Sequence, residues 1–176
     1  WSQTNNIQSD NLNKIINKDN FSQYILRNIP KEWDNSNVIL GEKIRVDNWK
    51  LSKILKHGKK KFLLNHKNFL KSNQNIKLHF DVFHGDGLLD KAINLLDISE
   101  REDFEYFVKN ENSFNRENLF FCRSREIMKD YFKSIFQWLE SCEMVFGFDL
   151  KGYSKTRIYA FLAERYLSFW FNKYSK

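Results

Sequence analysis

An α/β domain is the fold class this sequence predicts, and three observations lead to it. Apolar and polar residues alternate along IKLHFDVF (76–83), with Ile76, Leu78, Phe80 and Val82 on one side and Lys77, His79 and Asp81 on the other, the period of a strand. Apolar residues recur at helical spacing in two long downstream stretches, 125–142 and 155–174. The chain has 176 residues, 16% of them aromatic, with one Pro and six Gly, which suits a single domain with a large aromatic core and few linkers.

Taken in order, residues 1–32 read as a lead-in rich in Asn, Asp, Ser and Lys. A short helix is expected near 9–18, where Leu12, Ile15 and Ile16 hold helical spacing, with another near 20–28 and irregular chain around Pro30. VILGEKIRV (38–46) predicts a strand, or two short ones broken at Gly41, because Val and Ile suit a pleated surface and Gly marks a turn or bulge. The most basic stretch is 50–71, with Lys53, Lys56, Lys59, Lys60, Lys61, Lys67 and Lys71 beside His57 and His66. It reads either as a solvated loop and helix or as a phosphate-facing patch, and it carries no recognisable nucleic-acid-binding motif.

After the 76–83 strand, HGDG breaks the pattern and a helix resumes over 88–96 through Leu88, Leu89, Ala92, Ile93 and Leu96, with Asp86 placed to cap it. Ser99-Glu100-Arg101-Glu102 has the form of a capping box opening a helix to about Lys109, with Phe104, Phe107 and Val108 inward. ENLFFCR (117–123) predicts a short buried strand. Ser124 then caps a helix from Arg125 to Cys142 whose stripe is Ile127, Met128, Tyr131, Phe132, Ile135, Phe136, Leu139 and Cys142. The 155–174 helix is apolar over so wide a face that extensive burial is expected.

Charge and motifs bound the function. A net charge of +7, from 29 basic and 22 acidic side chains, either keeps the protein in solution or points to an anionic partner: nucleic acid, a membrane surface or a phosphorylated small molecule. Cys122 and Cys142 lack zinc or CxxC spacing and are expected as free thiols, with a single disulfide as the other reading. No P-loop, GxGxxG, GxSxG or HExxH occurs, and no Asp-x-Asp argues for a metal, so dependence on Mn²⁺ or Mg²⁺ stays open.

Three groups of polar residues are candidates for chemistry. In HFDVFHGD, His79 and Asp81 would leave one strand face, and His84 and Asp86 would occupy the following turn, where α/β proteins often bind ligands. The plainer reading makes Asp86 a cap and His84 a turn residue. In the last helix, Arg157, Glu164 and Arg165 interrupt an apolar run; Arg157 and Glu164, seven apart, share a face. They form either an internal ion pair or a pocket wall in which guanidinium groups hold phosphate and a carboxylate orients a sugar hydroxyl. Asn118, entering the apolar LFF, is either a satisfied structural amide or a substrate-facing hydrogen-bonder.

Asn118-Leu119-Phe120-Phe121, then Tyr131 and Phe136, then Arg157, Phe161-Leu162-Ala163-Glu164-Arg165 and Trp170 follow one another in an order that resembles a bacterial glycosyltransferase family. That family belongs to capsular, exopolysaccharide and lipopolysaccharide gene clusters. Its pattern is an Asn-Met-Phe-Ile strand, a helix carrying Phe-x-x-Tyr, and an Arg-x-x-Gly-Phe-Leu-x-Glu-Arg helix, so Ala160 stands where the family usually has Gly. FHGDGLLDKAI is similar to the family's His-then-acidic-helix segment and places His84 with Asp86 or Asp90; WDNSNVILGEKI is similar to the strand that enters this region. The resemblance spans roughly 33–172. The family's upstream His-Tyr-Arg-Arg-Tyr segment and first nucleotide-binding half are not in this sequence, so the chain is expected to be a partial domain completed by a missing N-terminal half or a partner chain.

What the resemblance implies is a GT-A-like α/β fold, a mixed sheet with flanking helices and a helical C-terminal half. It also implies a nucleotide-sugar donor and a saccharide or lipid-linked acceptor. Asp86 would be the catalytic base with Glu164 its competitor; His84 would bind donor or acceptor sugar; Arg157 and Arg165 would hold phosphate or support the site; Asn118 would shape the pocket; and His79 and Asp81 are further substrate-binding candidates. The expected location is the cytoplasm, at the inner membrane through Lys53–Lys71, with no nucleic acid involved. Two rivals stand beside it: a non-catalytic, incomplete transferase-like scaffold domain, and a basic nucleic-acid-binding module.

Overall fold

A computed structural model describes residues 18–20, 22 and 28–175; the helix expected near 9–18 and most of the one near 20–28 lie outside them. The elements run β1 (Val38–Leu40), β2 (Lys43–Arg45), α1 (Leu51–His57), α2 (Lys59–Leu64), α3 (Ile76–Phe83), α4 (Leu88–Ile93), α5 (Ile98–Asn110), β3 (Ser113–Asn115), β4 (Phe120–Cys122), α6 (Arg125–Phe146), α7 (Tyr153–Thr156) and α8 (Ile158–Tyr174). The α/β class holds, with helix dominating. Among the described residues the strands form two antiparallel pairs, β1 with β4 and β2 with β3, rather than one mixed sheet.

The chain breaks at Gly41, as its glycine predicts, and the two pairs follow one another as a bent ribbon. Val38 lies opposite Cys122 and Leu40 opposite Phe120; beyond the bend Lys43 lies opposite Asn115 and Arg45 opposite Ser113. Gly41 donates its N–H to the Leu119 carbonyl at 2.7 Å, and a Cβ there would meet that oxygen at 3.1 Å. Opposite Gly41 and Glu42, residues 116–119 form a bulge that reaches α8, with Glu117 and Asn118 both in the left-handed region (φ 73° and 49°).

Helix α8 is the centre of the molecule. Leu162 and the unbroken run Arg165–Phe171 are buried, as the wide apolar face predicts, between α6, α5, α3 and the ribbon. Arg157 closes α7 and precedes α8, so the expected single helix is two. On α6, Ser124 accepts a hydrogen bond from the Ile127 N–H, the cap its sequence predicts. Tyr131, Ile135, Trp138 and Cys142 are its buried residues, whereas Phe132 and Phe136 of the expected stripe are exposed. Both cysteines are free thiols.

Residues 76–83 are a helix, not a strand. Asn75 caps it by accepting from the Leu78 N–H at 2.8 Å, and Lys77 pairs with Asp81 one turn on at 2.9 Å. The alternation arises because α3 separates two cores. Ile76 and Phe80, spaced i,i+4, enter the main core with Leu89, Phe104, Phe114 and Leu162. Leu78 and Val82, also i,i+4, enter a smaller cluster with Ile54, Phe69, Trp49, Phe62 and Phe83. Two helical stripes interleaved in this way read as a period of two.

Two caps also differ from expectation. Gly87, with φ 70°, precedes α4 and takes its N–H to Asp81 Oδ1 at 3.1 Å, while Asp86 is exposed and pairs with Lys61. Helix α5 begins earlier than its Ser99 box predicts, because Asp97 accepts from the Ser99 N–H at 3.0 Å. No helix among the described residues is long and apolar enough to cross a membrane.

Candidate functional site

Once 76–83 is helical, His79 and Asp81 stand about 200° apart around the axis rather than side by side. The residues singled out from the sequence therefore separate into two groups, one on each side of α3.

The first group gathers around Arg165, whose side chain is only 1% exposed. Its guanidinium lies 4.2 Å above the Phe114 ring. Nη1 donates to Glu164 Oε2 at 2.8 Å and to the Phe161 carbonyl at 3.0 Å, so the ion pair of α8 is Arg165 with Glu164, not Arg157 with Glu164. Nη2 faces His79 Nδ1 at 3.3 Å and His84 Nε2 at 3.2 Å. A guanidinium only donates, so both imidazoles accept and their protons are assigned to His79 Nε2 and His84 Nδ1. Burial lowers the Arg165 pKa to about 10, which leaves it charged at neutral pH.

The same environment holds both histidines neutral. Burial, reinforced by the Arg165 charge, pushes the His84 pKa down to about 3, and burial followed by Arg165 and His84 pushes His79 well below its usual range. His84 stacks on Phe161 with ring centres 3.9 Å apart.

The ribbon bulge delivers the remaining members. Glu164, its side chain 14% exposed, accepts the Glu117 N–H on Oε1 at 3.2 Å. Asn118 donates from Nδ2 to the Ala160 carbonyl at 3.2 Å. Arg157 is exposed at the rim, bonded to the Tyr153 hydroxyl and 5.4 Å from the centre of the Phe161 ring. Sequence reasoning missed Glu117, whose backbone rather than side chain is used, and Phe114. Phe161 was visible only as part of a motif, although its ring joins His84 to Arg157.

Five buried side-chain polar atoms have no partner among the described residues, and three of them belong here: His84 Nδ1, Asn118 Oδ1 and Arg165 Nε. Buried polar groups are nearly always satisfied, so such a concentration marks a place where a ligand or solvent completes the structure.

The second group lines the opposite side. Asp81 is buried between Lys77 at 2.9 Å and Lys61 at 3.3 Å, and Lys77 also reaches Asp90 at 2.8 Å. Asp81, Lys61, Lys77 and Asp86 line a polar cleft of about 730 Å³ together with Asn68, Asn110 and Gln74. Among the described residues no three His, Cys, Asp or Glu side chains are grouped as metal ligands.

A family model described as a domain of unknown function (DUF4422) matches residues 20–175. No curated protein and no solved structure matches the chain.

Proposed function

The chain belongs to the DUF4422 family, and we propose that it acts in transferring a sugar from a nucleotide-sugar donor to a saccharide or lipid-linked acceptor in surface-polysaccharide synthesis. One observation carries this reading. His84, Glu164 and Arg165 meet around one guanidinium while Asn118 bonds α8 at Ala160, so three separate stretches that resemble the glycosyltransferase family converge on the first half of α8 and leave polar atoms of three of these residues unpartnered. The GT-A-like architecture belongs to the same proposal, with the donor-binding half supplied by a further segment or a partner chain.

The roles follow from exposure and charge. Arg165 is too deeply buried to meet a diphosphate; it fixes Glu164 and the two neutral imidazoles. Glu164, partly exposed and held on both oxygens, takes the proton of the acceptor hydroxyl. The acceptor oxygen then bonds to the anomeric carbon as the carbon–oxygen bond to the nucleoside diphosphate breaks. The leaving group departs with the electron pair, and exposed Arg157 meets its charge. His84 Nδ1–H and Asn118 Oδ1, buried and unpartnered in this structure, offer a donor and an acceptor to sugar hydroxyls once acceptor entry uncovers them. Asp86, the other candidate base, lies across α3 in a pair with Lys61, which favours Glu164.

Thermal stabilisation against nucleoside diphosphates and sugar nucleotides, with and without Mn²⁺ or Mg²⁺, tests the reading. A shift with one nucleotide class, lost in Arg157→Ala, and sugar transfer lost in Glu164→Gln are expected. Absence of both binding and transfer would assign the chain to the non-catalytic scaffold class.

A further inference from the structure

We infer that the outer face of the α1–α2 segment docks on an anionic lipid bilayer. Between Asp47 and Asp81 the chain contains no acidic residue and nine lysines. Two of these, Lys61 and Lys77, are spent on Asp81, Asp86 and Asp90. By contrast Lys53, Lys56, Lys59, Lys60, Lys67 and Lys71 are all exposed, and none makes an ion pair among the described residues.

The same segment carries apolar side chains that the fold does not cover. Ile54, Phe62 and Phe69 turn inward and complete the small core against Val82. Leu63 and Leu64, at the end of α2, are 71% and 86% exposed, and Leu55 and Leu70 are also in solvent. Bare leucines set among unpaired lysines match the two demands of a lipid interface, apolar groups that enter the acyl boundary and cations that meet phosphate headgroups. Lysines alone would suit any polyanion. The leucines are what single out a bilayer, because a nucleic-acid backbone offers them nothing to enter.

Lys59, Lys60, Leu63 and Leu64 make no hydrogen bond or ion pair with the Arg165 cluster, so docking through them needs none of the proposed catalytic residues. Co-sedimentation with sucrose-loaded vesicles tests the inference. The chain should pellet with vesicles of phosphatidylcholine and phosphatidylglycerol in equal parts and stay in solution with phosphatidylcholine alone. Raised salt should release it, since exposed charges are screened over about 10 Å at 0.1 M. Lys59→Glu/Lys60→Glu should weaken partitioning at least tenfold, given roughly fivefold for each surface lysine removed. Leu63→Ser/Leu64→Ser should weaken it while the thermal melt stays that of the wild type, because both side chains are exposed. Equal pelleting with both vesicle types, wild-type partitioning of both double variants, or retention on mixed-sequence DNA without vesicle binding would each overturn it.

Discussion

Helix α3 presents polar residues on two sides, and the two arrays obey different physics. Toward α8, one cation is buried among two neutral imidazoles, an aromatic ring and a single carboxylate. Toward α2, Asp81, Asp86, Asp90, Lys61 and Lys77 form a chain of opposite charges, four of them lining an open polar cleft. The first array is held by desolvation and has polar atoms left unpartnered; the second is a run of ion pairs in which two ammonium groups are shared among three carboxylates. Counting His and Asp along HFDVFHGD treats them as one site, whereas burial separates a desolvated polar cluster from an ionic brace.

The strongest way to break this contrast is to remove the buried cation. Arg165→Ala leaves Glu164 and both imidazoles without their common partner and opens a cavity, and should cost about 3–5 kcal/mol in urea unfolding. A cost below about 1 kcal/mol would show that the cluster is solvated after all, like an ordinary surface pair.

Acid sharpens the contrast next. His84 stays neutral in the folded protein down to about pH 3 but takes a proton in the unfolded chain below its ordinary 6.5. The unfolded state therefore binds more protons in that window, so the stability His84 contributes is complete above it and is lost as pH falls through it. The slope is about 1.4 kcal/mol per pH unit. Urea midpoints for His84→Gln should fall less steeply with acid than those of the wild type; identical slopes would mean that the ring is protonated in the fold.

On the other side, Asp86→Asn should change stability by less than about 1 kcal/mol, because that pair is exposed. A larger loss would make the brace part of the core. The smallest effect is expected at the bulge. Glu117→Gly removes a left-handed penalty of about 1 kcal/mol while adding chain entropy to the unfolded state, so a net change within about 0.5 kcal/mol is expected. A marked drop in thermal stability would show that the Glu117 side chain has work of its own beside Arg116.

What the sequence discloses depends on how many cores an element serves. Helices α6 and α8 each present one continuous buried stripe, so Ile127 to Cys142 and Leu162 to Phe171 are legible as helices, and Ser124 as a cap. Helix α3 serves two cores at once, and its interleaved stripes imitate a strand; the Lys77–Asp81 spacing and Asn75 were the available signs of a helix. For the site, Asn118, Glu164 and Arg165 were legible as polar intruders in apolar runs. Their partners were not, since His79 and His84 reach Arg165 only through folding, and Asp86 is drawn away by Lys61, far back in the chain.

The bent ribbon carries a consequence for how the molecule is made. Its pairings, Val38 with Cys122 and Arg45 with Ser113, close a long loop that contains α1 through α5. Such closures come late, because their entropy is lost before the contacts reward it. The bulge that brings the Glu117 N–H and Asn118 to α8 exists only after that closure. The site thus draws on α3, the bulge and α8 together, and a nascent chain stalled before Glu164 carries its lysines and histidines but not the site.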